Sequence, residues 1–98
     1  MAVTSITRFN GGSRDQFVAV AKTAKAIFAP TGGDFQVAQI YSGPNVGQWV
    51  AFIRYSNWEA YGTAMTALGS DPAYQKMMAA LAAITQPTDR TFILDIDL

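Results

Sequence analysis

Polar and apolar positions along this chain change period four times. Val3–Phe9 (VTSITRF) is rich in β-branched and aromatic residues and predicts a strand. Asn10-Gly11-Gly12 breaks it. Ser13, with Gln16 three positions on, has the form of a capping box. Phe17, Val20, Ala21, Ala24, Ile27 and Phe28 then recur at spacings of three and four, which predicts a helix from Arg14 to Ala29. Lys22 and Lys25 lie off that stripe, and Pro30 with Gly32-Gly33 ends it.

Phe35–Ser42 alternates as a second strand, Gly43–Gly47 reads as a hairpin-type loop, and Gln48–Tyr55 is the third strand. On that strand Trp49, Ala51, Ile53 and Tyr55 share one face, and Val50, Phe52 and Arg54 share the other. Nearly all are apolar, so both faces are expected to be buried. A sheet in a lone domain of this size usually leaves one face wet, so the pattern calls for a covering partner.

Ser56 with Glu59 forms a second capping-box pattern, opening a helix that runs to about Leu68. Gly69-Ser70 stops it. Asp71 as N-cap and Pro72 at the first helical position restart it as far as Ile84. Thr91–Leu98 (TFILDIDL) is the expected last strand, integral to the sheet. The order β-α-β-β-α-β predicts one α+β domain over residues 1–98. It would be a four-stranded antiparallel sheet with both helices on one face and the second helix broken near Gly69–Pro72.

Composition adds the partner argument. Only 14% of the 98 residues are charged, while 50% are hydrophobic. The size scaling gives a folded surface of about 5,500 Å², which so few charges cover thinly. An obligate oligomer, most simply a two-fold homodimer, is expected. Seven basic residues balance seven acidic ones and do not cluster, so nucleic acid and anionic membranes are not expected partners. No apolar run is long enough to span a bilayer, and Met1–Gly12 shows no signal-peptide pattern. Cytoplasm is the default compartment. Without cysteine or histidine the chain has no thiolate nucleophile, no Ser-His-Asp arrangement and no imidazole metal ligand. No metal and no cofactor is expected.

The stretches Val50–Tyr55, Ser56-Asn57-Trp58-Glu59-Ala60-Tyr61 and Asp71-Pro72-Ala73-Tyr74 carry a resemblance. A strand feeding a Trp-marked helix, followed by a Gly break and an Asp-Pro restart, resembles the dimeric α/β-barrel superfamily of ferredoxin-like domains. That group includes antibiotic-biosynthesis-type monooxygenases, NIPSNAP-like proteins and stress-responsive barrel proteins. The resemblance implies two sheets facing each other in a dimer and a small-molecule pocket between each sheet and its own helices. Active members oxidise electron-rich aromatic compounds without a metal or organic cofactor, using Asn, Trp, Tyr and Arg to hold the substrate anion. Members that bind haem use a histidine, which this chain lacks.

The ligand-binding candidates are therefore Arg54, Asn57, Trp58, Tyr61 and Tyr74. Structural roles stand beside these: Trp58 and Tyr61 can pack against the sheet, and Asn57 can belong to the helix cap. Arg8, Arg54 and Arg90 are either anion-orienting groups or members of ion pairs. Asp95 and Asp97 are expected on one face of the last strand, about 7 Å apart, as a solvated face, a salt bridge or a paired-carboxylate site. Met65, Met77 and Met78, with Leu68 and Leu81, either fill the core or line an adaptable pocket. Three functions remain open: a barrel protein binding a small apolar or aromatic ligand, a cofactor-independent monooxygenase or isomerase, and a dimerisation module without ligand.

Overall fold

The computed structural model describes residues 1–98. Strand β1 is Val3–Asn10, helix α1 Arg14–Phe28, strand β2 Asp34–Gln39 and strand β3 Trp49–Tyr55. Helix α2 is Trp58–Leu68, helix α3 Pro72–Ile84 and strand β4 Gln86–Leu94. The four strands form one sheet in the order β2-β3-β1-β4, with every neighbouring pair antiparallel. α1 packs beside α3, and α2 lies against β3.

The caps explain where the helices begin. Ser13 accepts the Gln16 N–H and Gln16 reaches back to the Ser13 N–H, as the spacing predicts. Asp71 caps α3 by accepting the Ala73 N–H at 2.9 Å, with Pro72 at the first position. α2 differs from expectation. Asn57, not Ser56, is its cap: Asn57 Oδ1 accepts the Ala60 N–H at 2.7 Å. Asn is among the strongest N-cap residues, so the chain stays extended one residue longer.

The last strand is shifted towards the N-terminus. It begins at Gln86 rather than Thr91 and ends at Leu94 rather than Leu98. Thr85 ends α3 by donating its N–H (2.9 Å) and its hydroxyl (3.1 Å) to the Leu81 carbonyl. The strand starts at once because β4 is an edge, where Pro87 costs no ladder bond on its open side. A bulge at Thr88 restores the register: Arg8 faces Asp89 and Phe9 faces Pro87. Beyond Leu94 a single bond, Asp95 N–H to the Ala2 carbonyl at 3.0 Å, continues the pairing. Asp97 therefore lies outside the strand. β2 is shorter than expected, ending at Gln39, and Tyr41 is exposed in the loop that follows.

One face of the sheet meets the helices. Phe9, Trp49, Ala51 and Phe35 from the strands pack with Phe17, Ala21, Ala24, Phe28, Leu68 and Met77 from the helices. Phe17 stacks on Trp49 at 5.0 Å and lies 6.0 Å from Phe9, and the Trp49 indole donates to the Gly11 carbonyl at 3.1 Å. Burying a ring such as Phe17 contributes about 1.5–3 kcal/mol. A second cluster, Val3, Tyr55 and Ala64, is joined to the first through Ile53 and Met65.

The opposite face carries no helix. Its middle rows hold Ile6, Phe52 and Val50, with Ile93 at one end. Ion pairs flank this patch: Arg8 with Asp89, and Arg54 with Asp95. The expectation of a β3 buried on both faces holds in part: Val50 is buried and Phe52 half-buried, but Arg54 is exposed. Only 16 of 98 residues are buried, and the accessible surface is 6222 Å². That exceeds the roughly 5,500 Å² expected for this mass. No helix is long and apolar enough to cross a membrane.

Candidate functional site

The space between the sheet and the paired helices α1 and α3 is not completely filled. A cavity of about 60 Å³ remains, and 13 of the 15 residues around it are hydrophobic. Phe9, Ala51 and Ile53 form its floor, Phe17, Ala24 and Phe28 one wall, and Met77, Met78 and Leu81 the other. Small side chains at Ala21, Ala24 and Ala51 leave the gap open. Met78 is partly exposed, and Arg90 is exposed on β4, which marks the side between α3 and β4 as the opening.

The two polar residues on this wall are Thr7 and Arg90. They sit opposite each other on β1 and β4, and Arg90 Nε donates to Thr7 Oγ1 at 3.3 Å. The three strand arginines thus divide cleanly. Arg8 donates Nε to Asp89 Oδ1 at 2.8 Å and a second bond to Oδ2, and this holds the Asp89 carboxyl below its ordinary range. Arg54 pairs with Asp95. Arg90 has a neutral partner, and it alone of the three faces the helices.

The five candidates from the sequence are not gathered into one site. Arg54 lies on the sheet face away from the helices. Asn57 uses its side-chain oxygen in the cap of α2. Trp58 and Tyr61 meet edge to face at 5.8 Å, and Phe92 of β4 lies 5.3 and 5.4 Å from them. Tyr61 also stands edge-on to Tyr55 at 5.7 Å. This aromatic corner packs the end of α2 onto the sheet, and none of its members lines the cavity. Tyr74 does line it, edge-on to Phe28 at 6.0 Å.

Residues outside the candidate set line the rest of the cavity. Met77 and Leu68 belong to the core, Met65 and Leu81 pack against it, and Met77, Met78 and Leu81 also border the cavity. The only signal for Thr7 in the sequence is its parity with Phe9 on β1. Asp95 takes the salt-bridge reading, with Arg54 as its partner, and no three acidic side chains gather into a set that could hold a metal ion. Tyr55, on the same sheet face, is buried; burial pushes its hydroxyl above the ordinary tyrosine range, opposed by its bond to Thr31.

No protein-family model and no curated protein matches the sequence. Solved structures do match in three dimensions. SnoaB, a cofactor-independent oxygenase from Streptomyces nogalater, superposes with a TM-score of 0.70 at 22% identity, covering 99% of this chain and 95% of its own. An uncharacterised NIPSNAP domain protein from Burkholderia xenovorans gives 0.79 at 15% identity, with 98% and 95% covered. A NIPSNAP family protein from Agrobacterium tumefaciens gives 0.71 at 16% identity, with 99% and 95% covered. With its β2-β3-β1-β4 sheet, the chain has the ferredoxin-like fold that it shares with these solved structures.

Proposed function

We propose that the protein is a homodimeric α/β barrel that binds a small apolar or aromatic ligand between its sheet and its helices. The cavity over Ala51 carries this reading. It is apolar on nearly every side, bordered by adaptable methionines, and has a polar pair at its edge. Its lining, a greasy wall with few convergent polar groups, is of the kind small-molecule sites use, and at about 60 Å³ it takes a ligand only as the methionines shift. The partner is a second copy. The Ile6–Phe52–Val50 face is apolar at its centre and charged at its margins, as interfaces are. Covering it would also account for the surface in excess of the size scaling.

Methyl NMR tests the cavity. Addition of 1-hexanol or phenol should shift the methyl signals of Ala24, Ala51 and Met77. Ala51→Val, which places two more methyl groups on the cavity floor, should abolish the response without unfolding the chain. Shifts confined to the outer sheet face, or none with either compound, refute the site.

A second reading is a cofactor-independent oxygenase or isomerase acting on an aromatic compound. The structural match to SnoaB supports it, and Tyr74 is the sequence candidate on the cavity wall. Oxygen consumption with electron-rich phenols, lost in Tyr74→Phe, is its expected sign. Turnover unchanged in Tyr74→Phe would remove that residue from the mechanism.

A further inference from the structure

We infer that Asn10 is a site of spontaneous covalent modification, where the side chain closes onto the Gly11 nitrogen and leaves isoaspartate in the chain. Ring closure needs a free main-chain nitrogen, a free side-chain amide and no Cβ in the way. Of the three asparagines, Asn10 alone meets these needs. It is exposed, ends β1 and precedes a glycine. Gly11 enters the hydrogen bonding only through its carbonyl, which accepts the Trp49 indole N–H at 3.1 Å. Asn45 is followed by Val46, whose branched side chain crowds the nitrogen. Asn57 is followed by Trp58, and its Oδ1 is engaged by the Ala60 N–H at 2.7 Å. Extended backbone keeps the reacting groups of Asn10 and Gly11 apart, so closure waits on fraying of the strand end. That end is held on one side only. Asn10 pairs with Gln86 of the edge strand β4, while the pairing of β1 with β3 stops at Phe9 and Trp49. Gly11, at φ 90°, then turns away from the sheet.

Water is the only co-reactant. The Gly11 nitrogen bonds to Asn10 Cγ, the side-chain Cγ–N bond breaks, and ammonia leaves with the proton that Gly11 gives up. The resulting succinimide takes up water at one of its two carbonyls. Addition at Cγ breaks the new bond and gives aspartate with the main chain unchanged. Addition at the main-chain carbonyl breaks the original peptide bond and gives isoaspartate, whose main chain runs through Cβ and Cγ and is one atom longer. Gly11 takes up that extra length, and its carbonyl is the acceptor for Trp49. The longer chain draws the carbonyl off the indole. Trp49 stacks on Phe17 at 5.0 Å, so the change reaches the main core cluster.

Ageing the folded protein in neutral buffer, followed by trypsin digestion and mass spectrometry beside an unaged control, tests the site. Trypsin cuts after Arg8 and Arg14, so the Phe9–Arg14 peptide carries Asn10 as its only asparagine. That peptide should gain the mass of an NH2-to-OH exchange at least tenfold faster than the peptides holding Asn45 and Asn57. Isoaspartate, read by enzymatic methyl transfer from S-adenosylmethionine to its free carboxylate, should exceed aspartate. The Trp49 indole N–H signal in the NMR spectrum should move in the aged wild type. It should stay in place in fresh Asn10→Asp, which adds the charge without lengthening the main chain. Aged Asn10→Gln should show neither conversion nor movement, because its longer side chain closes the ring far more slowly. No conversion at Asn10 in the folded chain, or conversion no faster than at Asn45 or Asn57, overturns the site. Conversion of a synthetic Phe9–Arg14 peptide without conversion of the folded chain does so too, since it shows that the strand end holds Asn10 shut. Isoaspartate that leaves the Trp49 signal unmoved overturns the link to the core.

Discussion

Tyr55 donates its hydroxyl proton to Thr31 Oγ1 across 2.8 Å; the direction follows because Thr31 gives its own proton to the Phe28 carbonyl at 2.6 Å. This relay ties the end of α1 to β3 inside the smaller core cluster. Tyr55→Phe should cost about 0.5–1.5 kcal/mol at neutral pH, the net value of one hydrogen bond. The pH effect has a definite sign. Burial raises the Tyr55 pKa above the ordinary 10.0, so the folded state holds the proton more firmly than the unfolded one. Its contribution is complete below pH 10 and is lost as pH rises through the raised value. Urea denaturation at neutral and alkaline pH should show a steeper loss for the wild type than for Tyr55→Phe.

Gly33 exists to leave room for that tyrosine. A Cβ at Gly33 would lie 2.7 Å from the Tyr55 hydroxyl oxygen, 2.8 Å from its ring and 3.2 Å from Ile53. Gly33→Ala should destabilise by about 1–3 kcal/mol, as overpacking does. Gly62 is the contrast. It lies inside α2 with nothing within 4 Å of an added Cβ, so Gly62→Ala should stabilise by about 0.5–1 kcal/mol. Chemical denaturation of both variants beside the wild type gives the two signs directly.

The caps of α2 separate sequence pattern from structure. Asn57→Ala should cost about 1 kcal/mol, since it leaves the Ala60 N–H without its acceptor. Ser56→Ala should be close to neutral, because Ser56 makes no cap bond. The reverse order of effects would restore the Ser56–Glu59 box.

Dimer formation is tested on the bare sheet face. Phe52 stands beside Ile6 at the centre of that face, so Phe52→Glu would place a charge in the proposed interface. Sedimentation equilibrium should show the wild type as a dimer and Phe52→Glu as a monomer. A wild-type chain that stays monomeric and well folded at micromolar concentration refutes the dimer.

Asp89 reports the ion pair at the margin of this face. The hydrogen bond from Arg8 lowers its pKa below the usual 3.8. Its contribution is present above that value and is lost as pH falls through the depressed one. An NMR titration of the Asp89 carboxyl should show the low midpoint in the wild type and a return towards 3.8 in Arg8→Gln. A midpoint unmoved by Arg8→Gln would show that the pair does not persist in solution.

Local pattern was enough for most of the architecture. The Phe17-to-Phe28 stripe, the Ser13–Gln16 box, the Gly69 break and the Asp71-Pro72 restart each specify an element within one or two turns of chain. The errors fall where a distant partner decides. Pro87 argues against a strand unless that strand is known to be an edge, and the bulge at Thr88 exists only because β1 lies alongside. Asn57 and Ser56 are both competent caps; the path of the chain leaving β3 selects one.

The sequence by itself determined the element order, the apolar faces of α1 and β3, and the absence of thiol and imidazole chemistry, since these depend on residue type and period alone. Tertiary structure alone decided which arginine met which carboxylate. Arg8, Arg54 and Arg90 look alike in the sequence, but strand parity and register turn two of them towards aspartates on the bare face and the third towards an apolar cavity. A one-residue change of register would exchange those faces. The meaning of Arg90 therefore lies in the pairing of β4 with β1, which no local stretch of the chain encodes.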